Sequence, residues 1–206
     1  MAKRVAGASG IERVKRLADE KSGIVRTAAA LQAGIHPRTL YELRDAGELV
    51  RISRGVYRLA DRQPMSDVDI VTVAARIPRA VICLVSSLAF HDITTQVPHT
   101  VSIALEKGAR RPRLDFPPLT IHRFSGKALT QGIQERTVDG VTVRVYSPEK
   151  TLADCFKFRN QLGMDVVLEA LKMYKARGSF DVGELLKYAR VCRVEAVMRP
   201  YIEAML

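Results

Sequence analysis

A chain of 206 residues with 47% hydrophobic and 27% charged side chains can build one large domain or two small ones, and is too apolar to be disordered. Its longest apolar stretches, such as Ala80 to Val85, are far too short to span a bilayer, and the basic N-terminus MAKRVAGASG has no apolar run behind it. A cytoplasmic protein with no membrane partner is expected. The net charge of +11 favours a polyanionic partner, nucleic acid first. Residues 1–63 hold 13 Lys and Arg against 7 Asp and Glu, so the first third carries more than half of the surplus.

The first helix is predicted to start near Ser9, with Ile11, Val14 and Leu17 or Ala18 at helical spacing, a Ser9–Glu12 capping box, and an end at Lys21-Ser22-Gly23. Ile24 and Val25 read as a very short extended segment. TAAALQAG follows, with Thr27 as its expected N-cap and Gly34 as its stop. After the turn Gly34-Ile35-His36, Pro37 opens a second helix, PRTLYELRDAG, which Gly47 closes. Two short helices joined by a tight glycine-containing turn are a helix-turn-helix signature. Leu49 to Ile52 and Val56 to Leu59, joined by Ser53-Arg54-Gly55, form a hairpin where a wing belongs.

The polar stretch ADRQPMSDVD separates this unit from a second region. There the pattern predicts a helix over Ile70–Arg76, a buried strand over Ala80–Val85 and a helix capped by Ser86 or Ser87. Strands follow over Val101–Leu105 and Leu119–Phe124, and then a hairpin of Gln134–Val138 and Val141–Tyr146 turning at Asp139-Gly140. A helix starts at Ser147-Pro148, and three more cover Met164–Arg177, Val182–Val191 and Val194–Met205, with Asp181 and Glu184 as a capping pair. The fold class is therefore α+β: an N-terminal winged helix-turn-helix over 1–62, a linker over 63–69, and a larger mixed domain over 70–206 that ends in a run of helices. Cys83, Cys155 and Cys192 are odd in number, widely spaced and set among apolar residues, and are read as reduced core thiols.

Helical spacing turns Leu40 and Leu43 inward, which leaves Arg38 and Thr39 at the start of the second helix to reach base edges. Arg38 offers a bidentate fork to guanine, and Thr39 a hydroxyl and a methyl. Tyr41 and Arg44 suit phosphates or groove walls, as do Arg51, Arg54 and Arg58 in the wing, with Arg54 at its tip. Arg26 and Thr27 sit at a helix start, where anions are favoured, and His36 is a further contact candidate or simply part of the turn. Each arginine taken singly is equally well a solvated surface charge. Glu42 and Asp45 leave room for a winged helix that contacts only protein.

Signs of catalysis are weak. His91, His99 and His122 match no ligand spacing, and no cofactor or metal is expected. Ser86, Ser87, His91 and Asp92 contain triad residue types without a nucleophile elbow. A DNA nuclease needs clustered carboxylates with a lysine nearby, and neither Glu106-Lys107 nor Glu149-Lys150 supplies that pattern. A ligand-sensing repressor would need a pocket in 70–206, and the sequence shows no convergent polar cluster there.

The stretch GIVRTAAALQAGIHPRTLYELRDAGELVRISRGVYRL resembles the N-terminal winged helix of the AbiEi family, antitoxins of abortive-infection toxin–antitoxin systems. LVSSLAFHDIT, VSIAL and YSPEKTLADCFKFRNQLGMDVVLEALKMY extend the likeness downstream in the same order. The resemblance implies a regulator that represses its own operon by binding double-stranded operator DNA, with repeats in its own promoter as the target. It also implies a C-terminal domain that neutralises a nucleotidyltransferase-like toxin, generally without a stable complex, and no enzymatic activity. A winged-helix-targeted nuclease and a ligand-sensing repressor remain the alternatives.

Overall fold

A computed structural model describes residues 8–19, 23–61, 65–178 and 180–206. The side chain of Ser9, residues Lys21 and Ser22, and 62–64 lie outside the described residues, and with them the expected first cap, the first helix end and part of the linker. Two compact units emerge: one comprises 1–78 together with 137–143, the other 79–136 with 144–206.

The first unit runs α1 (Ala8–Asp19), β1 (Ile24–Arg26), α2 (Thr27–Gln32), α3 (Pro37–Asp45), β2 (Leu49–Ser53), β3 (Val56–Leu59) and α4 (Val68–Arg76). The strands form an antiparallel sheet in the order β1-β3-β2. Ile24 and Val25 thus become a true strand, paired with Arg58 and Tyr57. The apolar periodicity of each element converges on one core. Val14 and Ala18 come from α1, Ala30 from α2, Leu40 and Leu43 from α3, and Leu49, Tyr57 and Leu59 from the wing. Two expectations are corrected. The N-cap of α2 is Arg26, without a side-chain cap bond, because the chain leaves β1 extended and the Thr27 amide is already committed to the Gly55 carbonyl at 2.9 Å. The helix expected from Ile70 starts at Val68, since the Asp67 carboxylate accepts the Ile70 amide at 2.9 Å and caps it.

The second unit is built around a five-stranded mixed sheet in the order β6-β5-β4-β8-β7. Its strands are β4 (Val81–Ile82), β5 (Val101–Glu106), β6 (Leu119–Phe124), β7 (Ile133–Val138) and β8 (Val141–Tyr146). β5 runs antiparallel to β4 and parallel to β6, and β4 runs parallel to β8. The β7–β8 turn has positive φ at both Asp139 and Gly140, as a two-residue type I′ turn requires. The helices are α5 (Leu84–Phe90), α6 (Lys127–Thr130), α7 (Pro148–Lys157), α8 (Arg159–Leu162), α9 (Met164–Ala176), α10 (Val182–Cys192) and α11 (Glu195–Glu203). The four-residue α6 and α8 escape periodicity because each is a single turn. Ser86 and Ser87 lie inside α5 and are not caps: Cys83 holds the N-cap position without a side-chain bond. Ser86 Oγ instead donates to the Thr100 carbonyl at 3.2 Å and accepts the Ser102 amide at 2.9 Å. Among the described residues no helix is long and apolar enough to cross a membrane.

α7 is the hub of this unit. Ser147 caps it as expected and Pro148 opens it, but all seven residues from Lys150 to Phe156 are buried, because α5, α9, α10 and α11 all pack around it. Burial of Lys150 and Asp154 one turn apart forces them to pair. Both side chains are 0% exposed, and Lys150 Nζ donates to Asp154 Oδ2 at 2.5 Å. The ammonium also lies 4.0 Å from the Tyr146 ring centroid and 5.2 Å from that of Phe124. Cys192 Sγ donates to the other carboxylate oxygen at 3.1 Å. Burial pushes the Asp154 carboxyl above its ordinary value, and Lys150 works against that rise. Gly132 makes room: a Cβ there would lie 2.6 Å from Lys150 Cβ, and its φ is +77°. All three cysteines are free and buried.

Lys150→Met, which strands a buried carboxylate, is expected to cost about 3–5 kcal/mol in urea unfolding, and Lys150→Met with Asp154→Leu to recover most of it. A second expectation concerns pH. Burial lowers the His91 and His122 values; at His91 the accepting Tyr146 carbonyl and nearby Glu149 oppose the shift, while Arg136 and Arg177 add to it. The unfolded imidazoles titrate at about 6.5, so the unfolded chain takes up protons first. Stability should therefore fall as pH drops from neutrality through the folded values. The Tm between pH 7.5 and 5.5 checks this, and His91→Gln should flatten the slope.

Candidate nucleic-acid interface

The exposed surface of the first unit is set by which side chains its core leaves outside. On α3, with Leu40 and Leu43 inside, Arg38 is 79% exposed and Tyr41 is exposed. His36 is the N-cap of α3, where its Nδ1 accepts the Arg38 amide at 3.2 Å, so its turn role is realised. Arg38 Nε rests on Glu42 Oε1 at 3.1 Å, an exposed i,i+4 pair worth only a few tenths of a kcal/mol (about 0.3–0.5) and easily exchanged for a phosphate or a base. Arg44 pairs with Asp45 at 2.7 Å and lies 5.6 Å from the Tyr41 ring centroid. Thr39 is half-buried, and its methyl faces Gly10 of α1, 3.4 Å from where a Cβ of that glycine would sit. That leaves Arg38 as the outward-facing side chain at the start of this helix.

The wing arginines do not act as one group. Arg51 lies opposite Tyr57, which is in the core, whereas Arg58 lies opposite Val50 and Ile24, on the other face of the sheet. Arg51 Nε reaches the Ser53 carbonyl at 3.4 Å, and Arg58 is half-buried. Arg54 is exposed at the turn itself. Next to it, Gly55 has φ +74°, and a Cβ there would lie 3.4 Å from Thr27 Oγ1 and 3.5 Å from a guanidinium nitrogen of Arg76. The wing turn, the start of α2 and the end of α4 thus meet at one glycine.

This meeting point carries a residue that sequence reasoning missed. Periodicity gives Arg76 only as the end of a helix, yet its exposed guanidinium reaches the wing turn and its charge acts on Arg26. Burial, then the charge of Arg76, lowers the value of half-buried Arg26. Among the described residues neither arginine has a carboxylate partner. Two adjacent guanidinium groups repel each other, and an anion between them would relieve the repulsion. α2 has six residues, too short for its dipole to favour an anion strongly, so the positive charge at its start is that of Arg26 and Arg76. No sequence signal announces Arg76, since 50 positions separate it from Arg26 and only the packing of α4 on β2 and β3 brings them together.

Five of the residues weighed for catalysis, Ser86, Ser87, His91, Glu149 and Lys150, are engaged in packing contacts. Ser87 Oγ bonds Thr151 Oγ1 at 2.7 Å, and His91 Nε2 bonds the Tyr146 carbonyl at 2.8 Å. Glu149 accepts the Tyr174 hydroxyl at 2.5 Å, and Lys150 is held by Asp154. Among the described residues no three or more His, Cys, Asp or Glu side chains cluster to hold a metal.

Residues 12–60 match the family model described as transcriptional regulator, AbiEi antitoxin. The match spans α1 to the end of the wing, the segment whose geometry is described above. No curated protein matches the chain. Among solved structures, the RV2827C protein from Mycobacterium tuberculosis is similar at 17% identity with a TM-score of 0.57, over 91% of this chain and 72% of that one. At that identity the likeness is one of fold.

Because Arg76 stands against a like charge, Arg76→Ala is expected to leave the Tm unchanged or slightly raised at low salt, with any gain gone at 1 M salt. Gly55→Ala should instead lose about 1–2 kcal/mol in chemical denaturation, since its backbone is left-handed.

Proposed function

We propose, from the premise that residues 12–60 carry the transcriptional-regulator module of the AbiEi antitoxin family, that this chain represses transcription by binding double-stranded operator DNA in its own promoter. The observation that carries the reading is that Arg76 stands at the wing turn, next to Gly55, where its charge acts on half-buried Arg26 and where exposed Arg54 precedes the glycine. Arg38 is the outward side chain at the start of the recognition helix α3. In this reading Arg38 addresses base edges in the major groove, and Tyr41 and Arg44 line the groove wall. Arg54 grips phosphate or enters the adjacent minor groove, while Arg26 and Arg76 clamp a phosphate beside Thr27. His36 serves by fixing the first turn of α3. Of the other two wing arginines, Arg51 or Arg58 but not both faces the duplex.

We further propose that the antitoxin domain expected beyond the linker at 63–69 is the second unit, 79–136 with 144–206, while α4 with Arg76 serves the first. The second unit acts in the cytoplasm to neutralise a nucleotidyltransferase-like toxin encoded alongside, without a lasting complex. The support is the family match together with the ordered downstream resemblance in LVSSLAFHDIT and YSPEKTLADCFKFR.

Fluorescence anisotropy with a duplex from the chain's own upstream region tests the operator reading. Affinity should fall steeply with salt as counterions are released. Arg54→Ala and Arg76→Ala should each weaken binding roughly tenfold on specific and scrambled duplexes alike, whereas Arg38→Ala should also erase the difference between them. Unchanged affinity in all three variants would reject the interface. For the antitoxin role, growth arrest by the neighbouring gene product should be relieved when the full chain is co-expressed; persistent arrest would reject it.

A further inference from the structure

The second unit holds a cleft that neither the family match nor the operator reading uses. Its volume is about 830 Å³, within the ordinary range for small-molecule sites. Five of its eleven lining residues are Lys or Arg (Lys127, Lys157, Arg159, Arg190 and Arg193), and none is acidic. This corrects the expectation that the C-terminal region lacks a convergent polar cluster. The convergence is invisible in sequence because the five come from three separate stretches that meet where α6 begins and where α7 and α10 end.

Ordinary helix-end electrostatics does not account for so much charge. The C-terminal ends of α7 and α10 each supply about half a negative charge. Glu195 answers Arg190 at 3.4 Å. A surplus of about three positive charges remains after those offsets. Among the described residues Lys127, Lys157, Arg159 and Arg193 form no ion pair. In a concave wall such like charges add their fields and draw in anions.

The cleft is also held in shape. Arg159 donates to the Phe156 carbonyl at 2.9 Å. Lys157 Nζ lies 5.7 Å from the Phe124 ring centroid. The floor residue Cys192 is tied to Asp154, hence to the buried Lys150 pair. Arg193 takes the left-handed position after α10 (φ +61°, ψ +42°), where glycine is the usual occupant. A side chain there strains the backbone, and this one lines the cleft.

We propose that this cleft binds the polyphosphate group of a small molecule such as a nucleoside triphosphate. Several charges converging from different walls fit a compact di- or triphosphate chain. A duplex instead presents its phosphates along an extended line. A single orthophosphate would leave most of the volume empty. Ala128, Val191 and Val194 give an apolar wall for the remainder of the ligand. The site is independent of operator binding and stands or falls separately from it.

Isothermal titration calorimetry of the full chain with GTP, ATP and inorganic triphosphate, at fixed ionic strength, tests this. Saturable one-to-one binding is expected. Nucleotides tighter than triphosphate would mean that the apolar wall contributes, and equal affinities that the phosphate chain alone is recognised. Lys127→Ala and Arg193→Gly should each weaken binding roughly tenfold. Arg193→Gly suits the left-handed backbone, so a loss of binding there cannot be laid to misfolding. Arg54→Ala should leave this affinity unchanged. No saturable heat at millimolar ligand, or equal affinity in the cleft variants, overturns the proposal. So does a loss of duplex affinity in Arg193→Gly without any nucleotide binding, which would make the cleft part of a DNA track.

Discussion

Lys150 has no route to water, so its charge has to be answered from within the protein. Asp154 answers it one helical turn away, the Tyr146 and Phe124 rings turn their faces toward it, and Cys192 satisfies the second carboxylate oxygen. A pair at this depth is costly to desolvate and adds little net stability over an apolar replacement. Its consequence is geometric. It fixes α7 against α10 through Asp154 and Cys192, and it requires a glycine at 132 so that the chain entering β7 can pass over the lysine stem. The end of β8, the start of β7 and the α7–α10 contact of the second unit all meet at that one charge.

The first unit solves a different problem with less material. Its core cluster has ten residues, nine from six short elements and Ile35 from the turn between α2 and α3. Outside it stand the exposed arginines Arg38, Arg51, Arg54 and Arg76, together with a few apolar side chains such as Leu31 and Val50. The tight contact at Gly55, where the Thr27 amide meets a turn carbonyl, brings the wing turn to the start of α2. α4 then adds Arg76 from beyond the segment that matches the family. Like charges thus stand near one another without a carboxylate between them, and in the operator reading a phosphate fills that place.

Much of this was legible in one dimension. The two short helices, the proline-initiated second helix and the hairpin were all readable because each depends on local chemistry: a proline at N1, glycines after helix ends, alternation in a strand. Leu40 and Leu43 were placed correctly by spacing alone. The misassigned caps at Thr27 and at Ser86 or Ser87 share a cause. Each residue has the right side chain for a cap, but a tertiary partner has the prior claim: the Gly55 carbonyl on the Thr27 amide, the Thr100 carbonyl on the Ser86 hydroxyl and the Tyr146 carbonyl on that of Ser87.

Sequence by itself determined the winged helix-turn-helix, its basic character and the order of the elements that follow, because periodicity, turn residues and charge are properties of neighbours in the chain. Only the tertiary structure decided which basic residues stand together. It set Arg58 and Arg51 on opposite faces of the wing, joined Arg76 to Arg26, and drew five cations from three stretches into one cleft. Electrostatic fields depend on distance through space, and distance through space is what a sequence does not contain.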